Sequence, residues 1–136
     1  MMRLMGIDYG DARIGIALSD LLQITAQGYT TLKNTQDETV FDEIQKIIKE
    51  KEVGKIVLGL PKNMDNTEGF RAKATYEFAD KLREYTDKEI VFCDERLSTV
   101  AAQTYMNTMD IRGKKRKGLV DTIAAALILE NYMKSR

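Results

Sequence analysis

Four carboxylates in this chain stand where burial would not ordinarily favour one. Asp8 falls near the end of "RLMGIDYG", an apolar run with the character of a strand. An ionised carboxylate is costly to remove from water unless something pairs with it. Asp94 and Glu95 close a second such run, "EIVFC". Asp121 precedes Ala124, Ala125 and Ile128 at helical spacing, so it belongs on or beside the apolar face of a last helix, in its first turn. Clustered carboxylates repel and raise one another's pKa, and a divalent cation relieves that repulsion. Two such ions can hold the attacking and leaving oxygens in phosphodiester cleavage. Each residue alone also has a plainer reading. Asp8 is a good turn former before Tyr9-Gly10, Asp94 and Glu95 can pair with Arg96, and an acid in a first helical turn suits the helix dipole. Only the joint pattern favours chemistry.

The rest of the composition narrows that chemistry. There is no histidine and a single cysteine, Cys93. Histidine triads, a histidine general base, and zinc held by imidazole or thiolate are therefore excluded. Carboxylate oxygens remain, and hard oxygen ligands favour Mg2+ or Mn2+. Lys plus Arg and Asp plus Glu balance at 21 each, so any attraction for nucleic acid has to be local. The 136 residues, 43% hydrophobic and 31% charged, are expected to form one globular domain over 1–136. No apolar run reaches the roughly 20 residues of a membrane helix. The start "MMRLMGIDYG" does not read as a secretory leader, and the lone cysteine suits the cytoplasm. Cys93 itself reads as inert core.

The elements that must position these acids follow from periodicity. Strands are predicted over 3–10 and 13–20 as a hairpin, with a third antiparallel strand over 24–33. The period then changes: Val40, Phe41, Ile44, Ile47 and Ile48 make a helical stripe, with Thr35 and Glu38 at capping-box spacing. A short buried strand over 55–61 stops at Pro61, and a loop follows over 63–69. Thr67 is expected to cap a helix carrying Phe70, Ala74, Phe78, Leu82 and Tyr85. A strand over 89–95, a helix over 99–109 capped by Ser98, a basic loop over 110–118 and a last helix over 119–133 complete the chain. The order β-β-β-α-β-α-β-α-α implies a mixed α/β sheet covered by helices. Ligands of open α/β sheets collect at the carboxyl ends of strands, where Asp8, Asp94 and Glu95 fall.

The segments "GIDYGDARIGIALSD", "GLPKNMDNTEG", "DERLSTVAA" and "VDTIAAALILENYM" together closely resemble the YqgF/RuvX family, in order and across nearly the whole chain. That family is described as pre-16S rRNA nucleases and as Holliday junction resolvases. The resemblance implies an RNase H-like fold, with a mixed five-stranded sheet and helices on both faces. It also implies a carboxylate triad of Asp8, the Asp94-Glu95 pair with Glu95 favoured, and Asp121, holding Mg2+ or Mn2+. One departure is visible: Asn66 stands where the family's loop commonly has glycine. Asn tolerates the same left-handed backbone.

Basic residues take roles beside this triad. Arg13, in the turn next to Asp8, is a candidate phosphate ligand or a solvated hairpin charge. Lys62 lies in a loop between strand and helix, where backbone donors meet phosphates. Arg96 either clamps a phosphate or holds Glu95. Arg112, Lys114, Lys115, Arg116 and Lys117 crowd just ahead of Asp121, which favours contact with a nucleic-acid backbone over simple solvation. The expected function is a metal-dependent nuclease in 5′-end maturation of pre-16S rRNA, with Holliday junction resolution on branched DNA as the alternative. A monomer or weak homodimer is expected, and no membrane partner. "DYGDARIG" also resembles the first phosphate loop of actin/Hsp70/sugar-kinase ATPases, but those need two such domains. A non-catalytic nucleic-acid scaffold is disfavoured, because all three acidic positions are intact.

Overall fold

The computed structural model describes residues 2–61, 69–94 and 113–136. Five strands, β1 (Arg3–Tyr9), β2 (Arg13–Ser19), β3 (Ala26–Lys33), β4 (Val53–Leu60) and β5 (Glu89–Asp94), form one sheet in the order β3-β2-β1-β4-β5. β2 runs antiparallel to β1 and β3, whereas β4 runs parallel to β1 and β5. Helices α1 (Glu38–Glu50) and α2 (Phe70–Leu82) make the connections that parallel pairing demands. A third helix, α3 (Gly113–Ser135), follows β5 in the described chain. The helix expected over 99–109, its Ser98 cap, the Thr67 cap and the Asn66 loop lie outside the described residues.

Strand alternation sorts the side chains onto two faces. Met5 and Ile7 of β1 join Ile14, Ile16 and Leu18 of β2 beneath the apolar stripe of α1 and Phe78, Ala79 and Leu82 of α2. Leu4, Ala17 and Val57 take the other face, beneath Ala125, Ile128 and Leu129 of α3. The sheet therefore carries helices on both faces, and its central strand is buried and apolar from Leu4 to Ile7, as a strand covered on both sides must be. The five predicted stripe residues of α1 are all buried.

Two expectations are corrected. The N-cap of α1 is Asp37, not Thr35: the Asp37 carboxylate accepts the Thr39 N–H at 2.9 Å. A capping side chain must sit immediately before the first helical residue to reach those donors. Thr35 lies two positions too far out, and its hydroxyl donates to Asp37 at 2.6 Å. The second correction concerns the basic loop. The backbone is helical from Gly113 onward, so residues 113–118 begin α3, and Asp121 lies eight positions into the helix. Lys and Arg are good helix formers, and a helix already anchored on a sheet extends at little expense once nucleated. The dipole explanation for Asp121 lapses with this change, because that effect fades within the first turn. Among the described residues no helix is long and apolar enough to cross a membrane.

Candidate metal and nucleic-acid site

Asp8 is half-buried near the carboxyl end of β1. Its neighbours fix which way it faces. Tyr9 packs against Phe78 with ring centroids 4.5 Å apart, the rings tilted by 31°, on the α1–α2 side, so Asp8, one residue earlier, belongs to the α3 side with Leu4 and Gly6. Directly across from it on β2 stands Gly15. Cross-strand neighbours of this kind lie about 5 Å apart.

Gly15 seats α3. A Cβ placed there would overlap the Asp121 carbonyl oxygen and come within 3.1 Å of Asp121 Cβ. Gly6 does the same one helical turn further on, where a Cβ would meet the Ala125 carbonyl oxygen at 2.7 Å. Both strands thus drop their side chain where the helix backbone rests on the sheet, a close approach that only glycine allows. The result is a juxtaposition of Asp8 and Asp121 across Gly15, brought about by residues that carry no chemistry.

Arg13 opens β2 two positions before Gly15 and so shares its face. Its Nε–H donates to Asp121 Oδ2 at 2.6 Å, across 108 residues of sequence. The Asp121 side chain is 15% exposed and that of Arg13 42% exposed. Neither simple sequence reading of Arg13, as a phosphate ligand or a solvated hairpin charge, includes this pairing.

The turn between Asp8 and Arg13 is held from behind. The side-chain amide of Asn34, a nearly buried residue, donates to the Gly10 carbonyl at 2.8 Å, and its backbone N–H donates to the Ala12 carbonyl at 2.9 Å. Its side-chain oxygen accepts the Gln36 N–H at 3.1 Å. Sequence reasoning missed Asn34, since one polar residue after a strand gives no signal; it also missed the role of Gly15.

Asp94 ends β5 opposite Leu60. Ile90 and Phe92 pack toward the α1–α2 core, and Val91 and Cys93 toward the α3 core. Alternation therefore assigns the exposed Asp94 to the face opposite Asp8 and Asp121. Cys93 is partly buried core, as expected. Glu95, Lys62, Arg96 and Arg112 lie outside the described residues. The positions of Lys114, Lys115, Arg116 and Lys117 fall in the first turns of α3, and Lys117 stands four residues before Asp121. Among the described residues no three carboxylate or thiol groups gather to hold a metal.

Comparison with known proteins follows the same lines. The family model for RuvX, described as Holliday junction resolvase, matches residues 2–135. A protein of Thermoanaerobacter pseudethanolicus named "Putative pre-16S rRNA nuclease" is 46% identical over 136 residues, covering 99% of this chain and 98% of its own. One of Halothermothrix orenii with the same name is 45% identical over 132 residues, covering 97% and 94%. Among solved structures, Thermus thermophilus RuvC in complex with Holliday junction substrate superposes with a TM-score of 0.61 at 13% identity, over 99% of this chain and 96% of that one. At that identity the likeness is one of fold.

Proposed function

This chain belongs to the RuvX family, and from that premise we propose that it is a single-domain, metal-dependent nuclease that hydrolyses phosphodiester bonds in 5′-end maturation of pre-16S rRNA. The observation that carries the reading is the juxtaposition of Asp8 and Asp121 across Gly15 at the carboxyl end of the parallel strands. The names of its relatives supply the substrate class. The donor set fits Mg2+ or Mn2+: the carboxylates are hard oxygen ligands, and Asp121 already holds a cation in the form of the Arg13 guanidinium. Asp8 and Asp121 are two of the ligands. Glu95 is the third in preference to Asp94, because alternation along β5 turns Asp94 to the other face.

When bound, the metal supplies an activated water and stabilises charge on the leaving oxygen. The chain's own groups do the rest. Asp8 is held by the sheet and the Asn34-braced turn, and Gly15 opposite it keeps the site in register with α3. Lys114, Lys115, Arg116 and Lys117 on the first turns of α3, with Arg112, Lys62, Arg13 and Arg96, take the nucleic-acid backbone. With no histidine in the chain, no imidazole is available for cyclisation through a 2′-hydroxyl, so products carry 5′-phosphate and 3′-hydroxyl ends. A monomer or weak homodimer in the cytoplasm suits one cut on a single strand.

A second reading rests on the family description, Holliday junction resolvase. Symmetric nicking of a four-way junction would call for a two-fold dimer. The test is cleavage of labelled precursor-like RNA and of a labelled four-way junction with Mn2+, by the native chain and by Asp8→Asn and Asp121→Asn. RNA cleavage lost in both variants, with their melting unchanged, is the expected result. Paired symmetric nicks on the junction with the RNA intact would favour the resolvase. Near-native activity in either variant would remove that residue from the site.

A further inference from the structure

The Arg13–Asp121 pair has a consequence for how this site takes up its metal. Asp121 Oδ2 accepts the Arg13 Nε–H at 2.6 Å on a carboxylate only 15% exposed. A guanidinium at that distance lowers the affinity of the same carboxylate for a divalent cation, since two cations a few ångströms apart repel in a partly buried site. Arg13 is the mobile partner. It is 42% exposed, begins a strand, and hangs on a long flexible stem, whereas Asp121 is fixed by a helix backbone seated on Gly15. The pair engages the Nε–H; the guanidinium's other four N–H donors lie on its two terminal nitrogens, in the fork geometry that suits phosphate oxygens.

We propose that Arg13 is a substrate-operated gate on the metal site: in the free protein its guanidinium occupies Asp121, and an arriving nucleic-acid phosphate draws it away, releasing the carboxylate to ligate the cation. The proposal rests on the reading of Asp121 as a metal ligand. Arg13 thereby becomes a positioning residue acting through Asp121. Metal and nucleic acid bind with positive coupling, each raising the other's affinity by the same factor. Free protein is kept metal-poor, and the site assembles on the substrate that it is to cut.

The experiment measures Mn2+ binding by calorimetry, without cleavage, in the native chain, Arg13→Gln, Asp121→Asn and the double variant. Each is measured alone and with a cleavage-resistant phosphorothioate oligoribonucleotide. Without oligonucleotide, Arg13→Gln is expected to bind Mn2+ at least about fivefold more tightly than the native chain, the lower end of ordinary coupling between sites. Adding the oligonucleotide should then tighten Mn2+ binding less in Arg13→Gln than in the native chain. Asp121→Asn should abolish the gain from Arg13→Gln in the double variant. Arg13→Lys keeps the charge but loses the planar Nε donor, so it should shift Mn2+ affinity in the same direction by less; it carries the test if Arg13→Gln does not fold. Unchanged or weaker Mn2+ binding by Arg13→Gln, with Asp121→Asn still weakening it, would overturn the gate while leaving Asp121 a ligand. Mn2+ affinity insensitive to Asp121→Asn in both backgrounds would overturn the ligand reading and the gate with it.

Discussion

Gly15→Ala should damage activity more than its small size suggests. The added Cβ would stand 2.5 Å from the Asp121 carbonyl carbon, against 3.4 Å for ordinary contact. Both sides of the clash are main chain, one in a strand paired on both sides and one in a helix, so no side-chain rotation relieves it. Helix α3 must lift from the sheet by about 1 Å at Asp121. Overpacking of this kind costs about 1–3 kcal/mol, which lowers the melting temperature by about 3–5 °C for each kcal/mol. A displacement of about 1 Å between catalytic groups lowers a rate by about a hundredfold. Gly6→Ala is the control. It strikes the same helix at the Ala125 carbonyl from 2.7 Å, further from Asp121, so it should lose comparable stability but less activity. The assay pairs thermal melts with initial rates of RNA cleavage in Mn2+ for both variants. Native melting and native rate in Gly15→Ala would refute the seating of α3. Equal activity losses in the two variants would refute the claim that Gly15 specifically sets the distance from Asp8 to Asp121.

Asn34→Ala removes the hydrogen bond that its side-chain amide donates to the Gly10 carbonyl and the acceptor for the Gln36 N–H; it should cost about 1–3 kcal/mol and lower kcat, both readable by denaturant melts and steady-state kinetics. Replacing Lys114, Lys115 and Lys117 together by Gln should weaken binding evenly across sequences and flatten its salt dependence by up to about one unit of slope for each lost phosphate contact, measured by fluorescence titration. Hydrogen bonds from the Thr35 hydroxyl and the Thr39 N–H hold the Asp37 carboxyl below the usual range. Its stabilisation of α1 is therefore complete above the ordinary carboxylate pKa of about 4 and is lost as pH falls through the lower folded value. The melting difference between native chain and Asp37→Asn should shrink on acidification below that point, with the effect modest because the cap is exposed.

Much of this molecule is legible in local pattern. The alternation of "RIGIALSD" and the 3.6-residue stripe from Val40 to Ile48 name their own elements, because burial of one face imposes a period on the chain itself. Asp8 stands out for the same reason, as a charge at the end of an apolar run. The order of strands and helices then leaves few ways to arrange the sheet, and parallel pairing of β4 with β1 and β5 follows from the intervening helices. Helix boundaries were less legible. The basic run before Asp121 satisfies both a solvated loop and a helix end, and the extension of α3 back to Gly113 decides between them.

Tertiary structure alone decides what meets what. Arg13 and Asp121 lie 108 residues apart, and nothing local to either announces the other. They meet because the register of β2 on β1 sets Gly15 beside Asp8, and the missing side chain at Gly15 lets the backbone of α3 rest there. The same alternation sends Asp94 to the opposite face from Asp8, a distinction that the adjacent letters Asp94 and Glu95 do not contain. Residue type fixes which groups can carry charge. Register and close packing, which depend on every strand at once, fix which of those charges share a site.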